Sequence, residues 1–253
     1  MKLIQRHGYI EFLRRNRERS IIKVVSGIRR CGKSTLFRLF KDELLAEGVK
    51  PEQIISINFE ELEYESLREY HALYQYILNQ MQPNQMNYIF LDEIQHVDQF
   101  HRVVDSLFVK ENTDIYITGS NAYFMSSDIA TLLTGRYVEI QMLPLSFAEF
   151  YYSKYEEQQY SLIPAYEAYL RESSFPYTQQ LGGEDFDIQE YLRGLFNTLL
   201  LHDVVARLKI NDVMILQDIV RYIMANVGSL LSPNKIAKSL VSAGRKIDNK
   251  TVE

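Results

Sequence analysis

The feature that most constrains the fold of this chain is a loop bordered by two glycines and followed by a lysine and a serine. Residues 27–34 read Gly-Ile-Arg-Arg-Cys-Gly-Lys-Ser, which matches the pattern G-x-x-x-x-G-K-[ST]. An apolar run at 21–25 precedes the loop, and apolar residues recur at helical spacing after it. A strand, a tight loop and a helix in this order begin a βαβ unit. The motif therefore predicts a parallel sheet with a phosphate-binding loop at one edge.

Further short apolar runs follow up to about residue 142, separated by longer segments with helical spacing. This alternation is typical of a parallel sheet covered by helices on both faces. We predict an α/β fold of the P-loop NTPase type, with a parallel five-stranded sheet flanked by helices, then an all-α region and a partial winged helix. The predicted strands are 21–25, 54–57, 88–91, 115–117 and 137–140, and the predicted crossover helices are 34–47, 66–80 and 99–110.

The pattern changes after Pro144. Tyrosine-rich helical segments and a helical run at 188–208 indicate a helical region, and the rest has the order of helices and turns that is typical of a helix-turn-helix. The sequence ends inside the third predicted helix of that segment, so we expect a longer natural protein. The predicted parts are an α/β core at 1–145, a helical region at 146–210 and a helix-turn-helix or winged-helix segment at 211–253.

The composition predicts a packed interior and excludes several classes of protein. Hydrophobic residues make up 46% of the 253 residues and charged residues 24%, and no apolar run is long enough to span a membrane. With one cysteine, Cys31, no internal disulfide forms, and a reducing cytoplasm is the expected setting. Of the net charge of −5, residues 1–33 carry ten Lys and Arg against two acidic residues. A uniformly basic nucleic-acid binder is therefore not expected, but local basic surfaces are.

The residue types of the loop predict how it holds a nucleotide. Gly27 and Gly32 permit backbone angles and a close approach that a Cβ would forbid, so successive N–H groups point at phosphate oxygens. Lys33 is expected to reach the β- and γ-phosphates as a compact charge and to contribute to catalysis. The hydroxyl of Ser34 is expected to ligate Mg²⁺.

The other loop residues have less specific predicted roles. Thr35 either caps the following helix or contacts the α-phosphate. Arg29 and Arg30 occupy variable positions, where a solvent-facing or acid-paired role and a nucleotide contact are equally compatible with the pattern. The complete predicted nucleotide-binding set is Gly27, Arg30, Cys31, Gly32, Lys33, Ser34 and Thr35.

Two carboxylates follow the apolar run at 88–91, namely Asp92 and Glu93. The carboxyl end of a parallel strand is the edge at which α/β sheets bind ligands, so Asp92 is expected opposite Ser34 as a partner of Mg²⁺. Glu93 is then expected to polarise the attacking water. A solvated turn is the alternative for such a strand end, and the phosphate loop upstream favours the catalytic interpretation.

Further segments resemble a known family when they are read together with the loop. The resemblance is to the prokaryotic AAA-type ATPases with an RRxGKST phosphate loop, and it continues through 203–207, so it covers nearly the whole chain. In that family a winged helix and a nuclease-like C-terminal domain follow the ATPase core, and this sequence lacks the latter. The matching segments are Asn58-Phe59-Glu60, Leu91-Asp92-Glu93-Ile94, Thr118-Gly119-Ser120-Asn121-Ala122, Leu133-Thr134-Gly135-Arg136-Tyr137 and Pro144-Leu145-Ser146-Phe147 with Glu149-Phe150.

The resemblance implies roles for several residues outside the loop. Asn121 is the implied catalytic sensor near the γ-phosphate, with Ser120 as a weaker candidate, and Asn58 is implied to hold Glu93 away from water. Arg136 is implied to meet the γ-phosphate from its own subunit or from a neighbour, which would require a homo-oligomer. The alternatives are a turn cap for Asn121, backbone hydrogen bonds at a strand end for Asn58, and a structural salt bridge for Arg136.

The remaining polar groups indicate no metal site and one candidate surface for a partner. The spacing of His96, His101 and His202 places no ligand pair on one helix face, so ordinary histidines are expected. The basic tail is compatible with DNA binding through the helix-turn-helix, or with protein packing by a winged helix. Its basic residues are Lys235, Lys238, Arg245, Lys246 and Lys250.

These features predict an ATPase that binds ATP or ADP with Mg²⁺ and couples hydrolysis to movement of the helical region. The alternative is a nucleotide-gated switch that binds DNA or protein with little turnover. A GTPase is disfavoured because residues 234–237 read Asn-Lys-Ile-Ala where a guanine-reading motif needs a final Asp. A phosphoryl transferase is disfavoured because the segment after Arg136 is rich in tyrosine rather than arginine.

Overall fold

The computed structural model describes residues 4–120, 133, 135–155, 160–181, 185–199, 205, 212–245, 247 and 252. A parallel five-stranded sheet with the order β2-β3-β4-β1-β5 forms its centre, which confirms the predicted fold. Each strand lies within about three residues of its predicted bounds. The strands are β1 (Ile22–Gly27), β2 (Ile54–Asn58), β3 (Asn87–Asp92), β4 (Thr113–Ser120) and β5 (Tyr137–Met142).

Helices connect these strands and follow them. Short 3-10 turns lie at Pro51–Gln53, Leu62–Arg68, Ile94–His96 and Pro176–Gln180. The α-helices are α1 (His7–Asn16), α2 (Lys33–Ala46), α3 (Tyr70–Gln80), α4 (Phe100–Phe108), α5 (Phe147–Tyr155), α6 (Leu162–Glu172), α7 (Asp185–Thr198), α8 (Val213–Ala225) and α9 (Pro233–Ser242).

The sequence-based expectation missed one helix and placed the start of another too early. Helix α1 was not predicted, although Ile10 and Leu13 on one of its faces are buried against the sheet. The helix predicted at 66–80 begins as a 3-10 turn, and α3 starts only at Tyr70. The side chain of Glu69 accepts a hydrogen bond from the backbone N–H of Ala72, so this residue caps α3 and sets its first turn.

Both faces of the sheet are buried, which explains why its strands are nearly continuous apolar runs. Successive residues of β1 point to opposite sides: Val24 packs into one apolar cluster and Val25 into the other. Residues of α3 and α4 complete the first cluster, and residues of α1 and α2 complete the second. The sheet is therefore a rigid platform whose carboxyl edge carries the loops.

The chain divides into two compact units, Met1–Ile188 and Gln189–Glu253. The boundaries predicted at residues 145 and 210 remain predictions. In the second unit the side chain of Asp212 caps α8, and that of Ser232 caps α9. Arg245 pairs with Asp218 of α8 at 2.6 Å. Among the described helices, none has both the length and the apolar character that crossing a bilayer requires.

Candidate functional site

The two glycines of the loop after β1 are needed for different physical reasons. A Cβ on Gly27 would lie 2.5 Å from the carbonyl oxygen of Met142 and 2.9 Å from Sγ of Cys31, so this glycine permits the close approach of β5. Gly32 has a φ of +107°, which favours glycine, and it directly precedes α2. Arg30 takes a φ of +66° without being glycine. The loop is therefore a tight turn with two residues in the left-handed region, and it brings the start of α2 to the sheet edge.

Lys33 lies inside this loop. Its side chain is 4% exposed, and Nζ donates to the carbonyl oxygens of Gly27 at 3.1 Å and Ile28 at 3.4 Å. The same Nζ forms an ion pair with Oε1 of Glu93 at 3.1 Å. The ammonium group thus sits between the loop backbone and the acidic end of β3, where a phosphate group would be its natural partner.

The other loop residues take less direct positions. Cys31 is fully buried in the apolar cluster beneath α2, so only its backbone is available to a nucleotide, and burial raises the pKa of its thiol. Thr35 is half-buried and lines a cavity beside the loop. Arg30 is exposed, and Arg29 lies 3.4 Å from Oε1 of Glu60, an acid pairing of the kind considered as an alternative.

Asp92 and Ser34 meet at the carboxyl end of β3. The carboxylate of Asp92 is buried and accepts hydrogen bonds from the hydroxyls of Ser34 and Thr118. Burial raises the pKa of Asp92, and these two hydrogen bonds oppose the rise. A carboxylate beside a hydroxyl at a phosphate loop is a donor set that suits Mg²⁺, so these residues fit the predicted ion.

Both the backbone and the side chain of Glu93 make polar contacts that fix its position. Its backbone has a φ of +55°, and its N–H donates to Oγ1 of Thr118 at 2.9 Å. Nε2 of Gln95 donates to Oε2 of the carboxylate at 2.6 Å, while Lys33 pairs with Oε1. Burial would raise the pKa of Glu93, but the charge of Lys33 and the hydrogen bond from Gln95 bring it below its ordinary value. The side chain is therefore an ionised acceptor beside the phosphate loop.

Sequence reasoning missed two residues of this network. Thr118 joins the backbone of Glu93 to the carboxylate of Asp92, and Gln95 holds Glu93. Thr118 stands in the segment 118–122 that matches the family, for which the resemblance implied roles only for Ser120 and Asn121. The sequence signal that could have identified Gln95 as a site residue is its position two residues after Glu93.

Asn58 does not hold Glu93 in this structure. Its Oδ1 accepts from the backbone N–H of Glu60 at 3.1 Å, and its Nδ2 donates to Glu61 at 3.3 Å. These contacts match the alternative in which the amide satisfies polar groups at a strand end. The expected hydrogen bond to Glu93 comes from Gln95 instead, because the 3-10 turn after β3 folds back on the carboxylate.

Arg136 lies near the amino ends of the strands, whereas the phosphate loop lies at their carboxyl ends, and its contact with the γ-phosphate in its own subunit stays a prediction. Its carbonyl accepts from the N–H of Ile22, the first residue of β1, whereas the phosphate loop follows the last residue, Gly27. Five residue steps of about 3.3 Å put some 16 Å between these two edges. The guanidinium lies 3.9 Å from Asp105 and over the ring of Phe108, contacts that agree with a structural role. A role in a neighbour's site remains a prediction.

The predicted sensor falls partly outside the structure. Asn121 lies outside the described residues. Ser120, the weaker candidate, ends β4 opposite Gly27 in the register and is 8% exposed. The edge of β4 therefore lies next to the phosphate loop, as the prediction requires.

A cavity of about 530 Å³ adjoins the loop on the side of β5. Cys31, Gly32 and Thr35 line the side of the cavity that the phosphate loop forms. The opposite wall is formed by more distant parts of the chain, namely Ile4, Arg6, Met142, Leu145, Pro176 and Gln179. No local sequence pattern predicted this cavity, because the residues that line it are far apart in the sequence.

Two polar side chains that line this cavity, Arg6 and Gln179, differ in their hydrogen bonding. Arg6 is 3% exposed, and its guanidinium donates to the carbonyls of Cys31 at 3.2 Å and Leu143 at 2.7 Å and to Glu149 at 2.7 Å. The amide of Gln179 accepts a hydrogen bond from Ser153, but its Nε2 is buried without a partner in the described part of the chain.

The structure also brings His96 near two carboxylates, which the sequence spacing did not predict. Ligand atoms of Glu60, Glu93 and His96 lie within 4.8 Å of one another. Glu93 already has a cationic partner in Lys33, so this cluster is a weaker candidate for a cation than Asp92 with Ser34.

The sheet order, the loop after β1 and the acidic end of β3 together define a P-loop nucleoside triphosphatase fold. A family model described as an AAA domain matches residues 19–151, more than half of the chain. The chain belongs to this family of AAA-type P-loop ATPases, as the sequence resemblance predicted.

Two curated relatives carry no assigned function. An uncharacterized protein of Haemophilus influenzae is 37% identical over 253 residues, which span 99% of this chain and 62% of the relative. An uncharacterized protein of Methanocaldococcus jannaschii is 32% identical over 250 residues, spanning 91% of this chain and 52% of the relative. The chain thus spans less than two thirds of the length of either one.

A solved structure supports the fold. A Walker-type ATPase of Pyrococcus abyssi superposes with a TM-score of 0.60 over 98% of this chain and 87% of that chain. Its sequence is 17% identical to this one, so the likeness concerns the fold alone.

Proposed function

We propose that this protein is a Mg²⁺-dependent ATPase whose hydrolysis is coupled to movement of the helices that follow the sheet. One observation carries the proposal: Lys33 and Ser34 at the start of α2 meet Asp92 and Glu93 at the end of β3. These side chains bring a cation, a hydroxyl and two carboxylates close together. Phosphoryl transfer to water needs such groups to bind the phosphates, to hold Mg²⁺ and to position the attacking water.

The loop would bind the phosphates of the nucleotide. Its backbone N–H groups and the positive end of α2 attract anionic oxygens, and Lys33 would exchange its two carbonyl contacts for the β- and γ-phosphates. Ser34 and Asp92 would hold Mg²⁺, which neutralises the charge that develops on the phosphate oxygens.

Glu93 would act on the attacking water. Because its pKa lies below the ordinary value, the carboxylate is ionised at neutral pH and is able to accept a proton. Thr118 fixes its backbone, and before a nucleotide binds the ion pair with Lys33 keeps its side chain beside the phosphate loop. Asn121 or Ser120 at the tip of β4 would contact the γ-phosphate as the sensor.

The cavity beside the loop would receive the nucleoside. Met142, Leu145 and Pro176 offer apolar surface to a base, and the unpaired Nε2 of Gln179 offers a donor to a ring nitrogen. A base that accepts at its ring nitrogens, as adenine does, suits this arrangement.

Arg6 is our candidate for the coupling element. It joins the carbonyl of Cys31 in the phosphate loop to Glu149 on α5, so a shift of the loop on nucleotide binding would reach the helical region through this side chain. A DNA or protein partner would then bind through the helix-turn-helix segment, and Arg136 would act in a homo-oligomer. A nucleotide-gated switch with little turnover is the competing function.

Two substitutions separate binding from hydrolysis. Lys33→Ala should reduce affinity for Mg-ATP by at least tenfold, measured by calorimetry, because the buried cation is lost. Glu93→Gln should retain binding and lose about 10²- to 10⁴-fold in the rate of phosphate release, the range of general acid–base catalysis. Lys50→Ala and Glu111→Gln, both at exposed positions, are the matched controls.

The outcomes distinguish the two functions. Wild-type protein that fails to bind Mg-ATP, or Lys33→Ala protein that binds it equally well, overturns both. Tight nucleotide binding with a rate no greater than that in buffer overturns the ATPase and favours the switch. Turnover that rises with protein concentration or on adding DNA supports a shared site or a DNA partner.

A further inference from the structure

Gln95 contacts the candidate base Glu93 from outside the phosphate loop and outside β3. It lies in the 3-10 turn Ile94–His96, two residues after Glu93, and its Nε2 donates to Oε2 of that carboxylate at 2.6 Å. The other oxygen, Oε1, pairs with Nζ of Lys33 at 3.1 Å. Each oxygen of the carboxylate therefore has its own donor.

The two donors respond differently to a bound nucleotide. Lys33 is charged, and its other hydrogen bonds within the described residues go to loop carbonyls at 3.1 and 3.4 Å, so a polyphosphate would draw its ammonium away from Glu93. Gln95 is uncharged and lies outside the loop, so its hydrogen bond is unaffected by that exchange. Oε1 would then be available on the side of the phosphates while Oε2 stays held.

The surrounding contacts indicate that Gln95 orients the carboxylate of Glu93. The backbone of Glu93 is fixed by Thr118, which leaves the orientation of the side chain to its own donors. Oε1 of Gln95 is buried without a hydrogen-bond partner in the described residues, so the amide donates to Glu93 without a compensating bond on its acceptor side. Asn58, the residue first expected to contact Glu93, is bonded to Glu60 and Glu61.

We propose that Gln95 is a positioning residue for hydrolysis: it holds Oε2 of Glu93 so that Oε1 faces the attacking water once a nucleotide has taken Lys33. This inference rests on the proposed ATPase function and adds a residue to it. In the described part of the chain the side chain of Gln95 hydrogen-bonds to Glu93 and not to the phosphate loop or to Ser34 and Asp92, so we expect its effect on the chemical step.

The test is the kinetics of Gln95→Ala with Gln75→Ala, at an exposed glutamine of α3, as the matched control. Loss of a hydrogen bond to a charged group should lower kcat about 10- to 100-fold. Neither the Kd for Mg-ATP nor the KM should change more than about twofold, because Gln95 does not contact the nucleotide. The control should keep wild-type kinetics.

A second measurement excludes a merely structural role. In a Glu93→Gln background, single-turnover hydrolysis should not fall further when Gln95→Ala is added, because Gln95 acts through Glu93. An equal loss in both backgrounds would show an independent, structural effect and overturn the proposal. If Gln95→Ala fails to fold, Gln95→Met keeps the length of the side chain without its donor and should show the same kinetics.

Failure of this inference differs from failure of the proposed function. If wild-type protein does not hydrolyse ATP, the proposed function is wrong. If wild-type protein is active, Glu93→Gln is inactive and Gln95→Ala is as active as wild type, only the assignment of Gln95 is wrong.

Discussion

Replacing Gly27 by alanine tests how tightly the phosphate loop is packed against β5. Gly27 is the last residue of β1 and pairs in register with Met142 of β5. An added Cβ would lie 2.5 Å from the carbonyl oxygen of Met142, 3.3 Å from its carbonyl carbon and 2.9 Å from Sγ of Cys31. Both near neighbours are constrained, since one is backbone in the sheet and the other is fully buried.

The magnitude follows from these distances. Real Cβ atoms essentially never approach other atoms within 3.0 Å, so the strand ends must separate by several tenths of an ångström. Overpacking of this kind costs about 1–3 kcal/mol, and the rigid backbone neighbour argues for the upper end of the range. We expect a loss of about 3 kcal/mol in the free energy of unfolding and at least tenfold weaker binding of Mg-ATP, because the displaced segment begins the phosphate loop.

Urea unfolding followed by far-ultraviolet circular dichroism measures the first quantity and calorimetry the second. Gly8→Ala is the control, since Gly8 lies within α1 and a Cβ there meets nothing within 4 Å. That control should be neutral or stabilising by up to about 1 kcal/mol through helix propensity. A Gly27→Ala protein within about 0.5 kcal/mol of wild type, with unchanged nucleotide affinity, would refute the packing argument.

Two further predictions concern the amino edge of the sheet. Lys23 and Asp114 form an ion pair in which both side chains are 0% exposed. Lys23→Met should therefore lower the free energy of unfolding in urea by about 3–5 kcal/mol, because it leaves the buried charge of Asp114 without its partner. A loss below about 1 kcal/mol would contradict this prediction. Burial and the hydrogen bond to Glu18 raise the pKa of Tyr88 to about 12, above the value near 10 of an unfolded tyrosine. The stability this phenol contributes is thus present below pH 10 and lost as the pH rises through about 12. Tyr88→Phe should be less stable than wild type by about 1 kcal/mol at pH 8, and a difference that does not narrow above pH 10 would disprove the assignment.

The fold and the identity of the family were predictable because their signals are local. Buried strands appear as short apolar runs, and the loop at 27–34 combines glycines, a lysine and a serine whose chemistry depends on little else. All five strands and the start of α2 were therefore predicted to within about three residues. Helix α1 was missed even though its buried residues Ile10 and Leu13 are three residues apart, the spacing of one helix face.

The site was predictable only in part. Lys33, Ser34, Asp92 and Glu93 were expected together, and their side chains do meet. The family resemblance implied Asn58 as the partner of Glu93, but in the structure Gln95 makes this contact instead.

The spacing of apolar residues in the sequence indicates which segments are strands and helices. A functional motif made of adjacent residues, such as the phosphate loop, is also recognisable in the sequence. The spacing does not encode which distant segments meet, since strand order and register depend on the packing of the whole sheet. For this reason only the folded chain shows that Arg136 lies at the far edge from the phosphate loop, and that Arg6 and Gln179 wall the cavity beside it.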